Sequence, residues 1–191
     1  MYFWYKGADK FDKSILNYFS EYECCIDKNH NYFNSNYGHY AYKRGGLDFC
    51  INELKKDHKS RRACFLINNN NVSFIDDEID KLCTNAIQFF IRDARLYMVV
   101  QMRSSNFLTL LPYDAFMFSV FYYQVFNALE EHYKIIMTGK ILMQIASLHY
   151  YSVNRTDIIY SSTDTEKDYV ELIDYNRSIN YTEQQLKKYL K

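Results

Sequence analysis

The chain has 191 residues, of which 48% are hydrophobic and 18% aromatic, so it can bury one sizeable core. Basic and acidic residues each number 23, and with a net charge of zero neither a nucleic acid polymer nor a membrane is the expected partner. One proline and five glycines exclude collagen-like and linker-like chains. The composition predicts a single folded domain over residues 1–191.

The cysteines contain no C-x-x-C pair, which predicts reduced thiols of a cytoplasmic protein and no metal site. The N-terminus lacks a basic region followed by an apolar stretch, so no secretory signal is predicted. The longest apolar stretch, at 115–126, is shorter than the roughly 18 residues of a membrane span. The Asn-, Lys- and Tyr-rich composition is compatible with a phage gene, so the expected location is the cytoplasm of an infected bacterium.

In the first half of the chain, the hydrophobic pattern predicts a helix followed by strands. Apolar residues recur at helical spacing over 48–56, and a short apolar strand follows at 63–67. The asparagine run at 68–71 predicts a turn. Beyond it, the segments 86–93 and 95–105 are rich in strand-forming residues, and the break between them predicts a hairpin.

In the second half, the only proline, Pro112, precedes a segment with the length of a five- to six-turn buried helix, 113–134. An apolar segment follows at 140–154, then a predicted strand at 168–176 and a charged, helix-prone tail at 182–191. These elements predict an α+β fold in which a mostly antiparallel or mixed sheet packs against a long buried helix.

Five short motifs follow one another in a characteristic order. They are YGHY at 37–40, SRR at 60–62, CTNAIQFFI at 83–91, QMRSSNFLTLLPYD at 101–114 and SLHYY at 147–151. In this order and spacing they resemble the thymidylate synthase and pyrimidine-nucleotide hydroxymethylase family over roughly residues 1–180. The resemblance implies a thymidylate synthase-like fold and a homodimer formed through the sheet.

The resemblance implies two catalytic residues. Cys83 matches the nucleophile, whose thiolate adds to C6 of a pyrimidine so that C5 can attack a one-carbon donor, 5,10-methylenetetrahydrofolate. Asp114 stands where thymidylate synthases carry Asn. An ionised carboxylate only accepts hydrogen bonds, which suits the exocyclic amine of cytosine and disfavours O4 of uracil. By themselves, Cys83 is typical of a buried structural thiol and Asp114 of a first-turn acid favoured by the helix dipole.

The resemblance also implies residues for the nucleotide phosphate. Arg103 and Ser104 match the family's phosphate-binding pair, and a guanidinium beside a hydroxyl suits a dianion. Arg61 and Arg62 match tandem arginines that reach the phosphate bound by the partner subunit. A lone arginine pair is otherwise typical of a solvated surface.

The sugar and the base are assigned in the same way. His149 and Tyr151 match the His-x-Tyr that holds the sugar hydroxyl. Gln88 matches a glutamine beneath the base, and Tyr37 lies in the segment that lines the cleft. Asn106 stands where synthases carry a folate-contacting Asp.

We therefore predict a transferase that binds a pyrimidine deoxynucleoside monophosphate and folate, most specifically a dCMP 5-hydroxymethylase. Two alternatives stay open. Hydride in place of water as the final nucleophile would make a methylase of dUMP or dCMP. The other alternative is a non-catalytic, nucleotide-binding scaffold. It stays open because FWYKG at 3–7 matches the segment that follows the catalytic glutamate in the family, and this sequence has no glutamate that matches it.

Overall fold

The computed structural model describes residues 35–68 and 80–150 of the chain. Within these ranges, the structure has a π-helical turn, two helices, α1 and α2, and six strands, β1 to β6. In chain order these are the π-helical turn His39–Lys43, α1 Gly46–Lys56, β1 Cys64–Leu66, β2 Thr84–Arg92, β3 Arg95–Met102, β4 Ser105–Asn106, α2 Leu111–Tyr133, β5 Met137–Ile145 and β6 Leu148–His149. The predicted helix at 48–56, the strand at 63–67 and the long helix at 113–134 are confirmed.

Helix α1 follows a glycine whose backbone conformation few other residues adopt. Gly45 has φ of 71°, in the left-handed region, and this turns the chain into the helix. The side chains of Leu47, Cys50 and Leu54 are buried on one face, as their spacing predicts. Asp48 in the first turn also suits the helix dipole.

The main sheet has the strand order β1-β2-β3-β5 and is mixed. Strands β1, β2 and β3 pair antiparallel, whereas β5 pairs parallel with β3. Asp93 and Ala94 join β2 to β3, both with positive φ, which is the conformation of a two-residue hairpin turn that matches the strand twist. The predicted hairpin is therefore confirmed.

Helix α2 covers the inner face of the sheet. Pro112 lies in its first turn, where the missing N–H costs nothing and the fixed φ suits a helix. The Tyr122 hydroxyl donates to the Leu96 carbonyl of β3 at 2.8 Å and accepts from the Gly139 N–H of β5 at 2.9 Å. Tyr122 thus bridges the parallel pair where its register shifts, between Leu96 and Met98.

The other face of the sheet carries apolar side chains that no described element covers. Cys64, Gln88, Val99 and Leu142 stand in one row across the four strands. In the next row, Phe90 of β2 stacks on Tyr97 of β3, with ring centroids 5.4 Å apart. We call this surface the open face.

The α+β architecture with a mixed sheet and a long helix is confirmed, and dimerisation through the sheet stays a prediction.

A second, two-stranded sheet positions the motif loops. Strands β4 and β6 pair in parallel, which places Ser105 beside Leu148 and Asn106 beside His149. Tyr151, most of the asparagine run, the predicted strand at 168–176 and the predicted tail helix lie outside the described residues. No helix in the described ranges is long and apolar enough to cross a membrane.

Candidate active site

Cys83 lies directly before β2, in the irregular segment that follows residue 80. Its Sγ donates to the Lys81 carbonyl at 3.8 Å, and the side chain is half-buried. Burial raises the pKa of the Cys83 thiol, the Arg103 guanidinium opposes this, and Asp114 and Asp80 add to it. The thiol is therefore protonated in the resting protein, and reaction requires that it lose this proton.

Arg103 holds the segment that carries Cys83. Its Nε donates to the Leu82 carbonyl at 2.8 Å and its Nη2 to the Lys81 carbonyl at 3.0 Å. Its backbone N–H donates to the Cys83 carbonyl at 2.8 Å. Three successive carbonyls, of residues 81 to 83, thus accept hydrogen bonds from Arg103. The guanidinium is exposed, and since it carries five N–H groups, the remaining ones are available for an anion.

Asp114 lies in the first turn of α2, as the sequence predicts. Its Oδ2 accepts a hydrogen bond from the Ser105 hydroxyl at 3.3 Å. Burial raises the pKa of Asp114 to about 7, while the Ser105 hydroxyl lowers it. Near neutral pH the neutral form of Asp114 is therefore populated beside the ionised form, and the neutral form can donate a hydrogen bond.

Tyr37 lies beside Cys83 and Asp114 on the buried side of the site. Its hydroxyl accepts from the Thr84 N–H, the peptide that follows Cys83, at 3.3 Å. Its ring packs parallel to Phe118 of α2, with centroids 6.1 Å apart. Burial raises the pKa of Tyr37 above its ordinary value, with Asp114 and Cys83 contributing, so the phenol is neutral. Four separate segments therefore bring Tyr37, Cys83, Arg103 and Asp114 together.

Ser104 and His149 form a neighbouring pair. The Ser104 hydroxyl lies 3.4 Å from Nδ1 of His149, where the donor depends on the imidazole tautomer. The pairing of β4 with β6 creates this contact, because it aligns the two motif loops. The residues predicted for phosphate and sugar are thus adjacent in space.

Gln88, Arg61 and Arg62 form a different group. The Gln88 side chain lies on the open face, and its Nε2 donates to the Arg61 carbonyl at 3.0 Å. Both arginine side chains are exposed at the β1 edge of the sheet. Their reach to a partner's phosphate, and the role of Gln88 beneath the base, stay predictions.

Asn106 is buried and supports a turn. Its side chain is 2% exposed, and Oδ1 accepts from the N–H groups of Leu108 and Thr109 at 3.0 and 3.2 Å. This oxygen therefore shapes the loop that leads into α2. The expected role of Asn106 in the cleft stays a prediction.

Sequence reasoning missed Ser105 as a partner of Asp114. A two-residue strand gives no periodic signal, so the only clue in the sequence is its position directly after the Arg-Ser pair.

A cavity of about 680 Å³ lies at the other end of the main sheet, beside the β2–β3 turn, and none of the predicted site residues line it.

Comparison with known proteins supports the family suggested by the motifs. No protein-family model matches the chain. The deoxycytidylate 5-hydroxymethyltransferases of Enterobacteria phages T4, T2 and T6 are each 30% identical over 109 residues, which is 54% of this chain and 44% of theirs. The match thus spans less than half the length of these curated relatives.

The solved structures include a thermostable thymidylate synthase A from Bacillus subtilis. It superposes with a TM-score of 0.63 and 16% identity, over 87% of this chain and 60% of the synthase. This match confirms the predicted fold. The chain therefore has the fold of thymidylate synthase, and about half of it resembles the phage deoxycytidylate 5-hydroxymethyltransferases in sequence, as the motifs imply.

Proposed function

We propose that the protein binds dCMP and transfers a one-carbon unit to C5 of the cytosine ring, as a dCMP 5-hydroxymethylase. The observation that carries this proposal is the cluster of Tyr37, Cys83, Arg103 and Asp114, in which a nucleophile, a cation and a half-buried acid interact. A merely structural dimer requires none of these groups together, whereas addition of a thiolate to a bound base uses a nucleophile, a cation that stabilises it and a group that holds the base.

Cys83 is the proposed nucleophile. Its Sγ forms a bond to C6, and the π electrons of the C5–C6 bond move to C5, which becomes able to attack the one-carbon donor. The thiol proton, which points to the Lys81 carbonyl in the free protein, is first transferred to solvent. The Arg103 guanidinium stabilises the thiolate, since it opposes the effect of burial on the Cys83 pKa.

Asp114 is proposed to hold the base. The carboxyl group and the Cys83 thiol are close enough to interact electrostatically, which supports one ring bound against both. The ionised carboxylate accepts from the exocyclic amine of cytosine. The two predicted catalytic residues therefore act on opposite parts of one ring, Cys83 on C6 and Asp114 on the edge near position 4.

The phosphate and sugar are proposed to bind beside the cluster. The N–H groups of Arg103 that do not bond Lys81 and Leu82 provide charge-assisted donors, and the Ser104 hydroxyl adds another. His149 follows on β6, next to Ser104, and suits a sugar hydroxyl. Tyr151 is proposed for the same hydroxyl and lies outside the described residues.

The start of α2 and the loop before it fit a folate. Phe107, Tyr113 and Phe116 are each about half exposed there, and they offer flat apolar surface on which a fused ring can pack. Tyr113 and Phe116 are three residues apart and lie on neighbouring positions of the helix surface. When bound, 5,10-methylenetetrahydrofolate would supply the one-carbon unit to C5. Loss of the C5 proton and of tetrahydrofolate would leave an exocyclic methylene on the base, and water would add to it as the Cys83 sulfur leaves C6.

The open face supports a homodimer. Leu142 is 43% and Leu66 is 66% exposed there, beside the stacked pair of Phe90 and Tyr97. Exposed apolar side chains grouped on one face of a sheet are typical of an interface. Arg61 stands at the edge of the same face, where a partner subunit would meet it.

Covalent trapping tests the proposal. With 5-fluoro-dCMP and methylenetetrahydrofolate, we expect a stable adduct on Cys83, because fluorine cannot leave C5 as a proton does. Cys83→Ser should give no adduct by mass spectrometry. Cys64→Ser, which changes a half-buried thiol on the open face, is the matched control and should label like the wild-type protein. Absence of an adduct on the wild-type protein would refute catalysis by Cys83.

A further inference from the structure

Ser105 makes a contact that bears on base selection. We infer that Ser105 is a positioning residue that holds one oxygen of the Asp114 carboxyl group, so that the other oxygen alone reads position 4 of the pyrimidine. This inference rests on the proposed function. Its structural basis is the hydrogen bond from the Ser105 hydroxyl to Oδ2 of Asp114, at 3.3 Å.

Ser105 is rigidly placed. Its side chain is 2% exposed, and its residue pairs with Leu148 in the small parallel sheet. Its backbone N–H donates to the Ser147 carbonyl at 3.1 Å. A buried hydroxyl on a fixed strand has few alternative partners, so it holds the carboxyl oxygen that it contacts.

The backbone of Asp114 is also held in place. Its backbone N–H donates to the Leu110 carbonyl at 2.9 Å, within the first turn of α2. The ionisable groups that interact electrostatically with the carboxyl are the Tyr37 phenol and the Cys83 thiol, and Arg103 in turn interacts with Cys83. Rotation of the carboxyl group would exchange Oδ1 with Oδ2, and Ser105 is the described side chain that opposes it.

The chemistry of Oδ1 then depends on ionisation. Because Ser105 donates to Oδ2, the proton of the neutral acid resides on Oδ1. The ionised Oδ1 accepts from the N4 amine of cytosine, whereas the protonated Oδ1 donates to O4 of uracil. The preference for dCMP over dUMP should therefore rise with pH, by up to about tenfold per pH unit near the midpoint.

Removal of the Ser105 hydroxyl should change this behaviour in a defined direction. The hydroxyl stabilises the ionised carboxylate, so Ser105→Ala should move the Asp114 midpoint upward, by about one pH unit for a hydrogen bond to a charged group. At fixed neutral pH, the preference for dCMP should fall several-fold. A residue that served only packing would leave the midpoint where it is.

The experiment combines two measurements on the full chain. The Asp114 midpoint is followed without ligand by carboxyl ¹³C NMR, and the dissociation constants of dCMP and dUMP are measured by calorimetry from about pH 6 to about pH 8. Ser105→Cys keeps nearly the same volume with a weak donor, and it should behave like Ser105→Ala. Ser119→Ala is the control, because its hydroxyl bonds the Ala115 carbonyl of α2, and it should match the wild-type protein.

The outcomes separate the inference from the proposed function. A shifted midpoint together with a reduced preference for dCMP supports the inference. An unchanged midpoint in both Ser105 variants overturns it, as does a shifted midpoint with an unchanged preference. If the wild-type chain binds neither nucleotide, the proposed function fails, and the role of Ser105 in base selection fails with it.

Discussion

Replacement of Asp114 by Asn tests the electrostatics of the cluster in the ligand-free protein. Burial raises the pKa of this carboxyl from 3.8 to about 7. The folded protein therefore keeps a proton that the unfolded chain releases near pH 4. Asn has a similar shape and does not titrate in this range, so Asp114→Asn removes the linked proton without removing the side chain.

The sign and size of the effect follow from this difference. Because the folded-state pKa of Asp114 lies above the unfolded value, its contribution to the free energy of unfolding is fully present at low pH. This contribution is lost as the pH rises towards 7. The whole shift corresponds to about 4 kcal/mol in favour of the neutral form. Between about pH 5 and about pH 8, the free energy of unfolding of the wild-type protein should fall by about 2.5 kcal/mol relative to Asp114→Asn.

Urea unfolding at the two pH values measures this difference. Asp48→Asn removes an exposed carboxyl from the first turn of α1, and it controls for the change in net charge. It should retain the wild-type pH dependence, whereas Asp114→Asn should flatten it. Equal pH dependence in the wild-type protein and Asp114→Asn would show that burial does not perturb this carboxyl, and the electrostatic argument would fail.

Four further substitutions probe the fold and its surface. Gly139→Ala should unfold the protein or strongly lower its melting temperature, because a Cβ there would lie 2.2 Å from the Leu96 carbonyl oxygen. Gly45→Ala, with positive φ and open space, should cost only about 1 kcal/mol. Phe89→Ala should lower the free energy of unfolding by about 3 to 5 kcal/mol in chemical denaturation, since Phe89 is fully buried. Leu142→Asp should convert the proposed dimer to a monomer in light scattering, and a dimer that survives it would exclude the open face as the interface.

Local sequence patterns predicted much of the architecture. The helical spacing of apolar residues predicted α1, the interruption at 92–95 predicted the hairpin, and the long segment after Pro112 predicted α2. These elements depend on interactions between near neighbours, which a sequence pattern records directly. The pairing of β5 in parallel with β3 joins segments about 40 residues apart, and no local pattern specifies such a partner.

The candidate site divides in a similar way. The order of the motifs indicated Cys83, Arg103 and Asp114, and the structure brings them together with Tyr37. The sequence did not show that Asp114 is buried enough to titrate near neutral pH, since burial depends on packing between distant segments. Nor did it place Gln88 on the open face beside Arg61.

The sequence by itself determined the class of fold and the main local elements, and it indicated the candidate site residues, because composition, periodicity and motif order are properties of the chain alone. Only the tertiary structure decided which oxygen of Asp114 is held by Ser105, which carbonyls Arg103 binds, and which face of the sheet stays open. The physical reason is that hydrogen bonds and desolvation act through space, between segments that the folded backbone brings into contact.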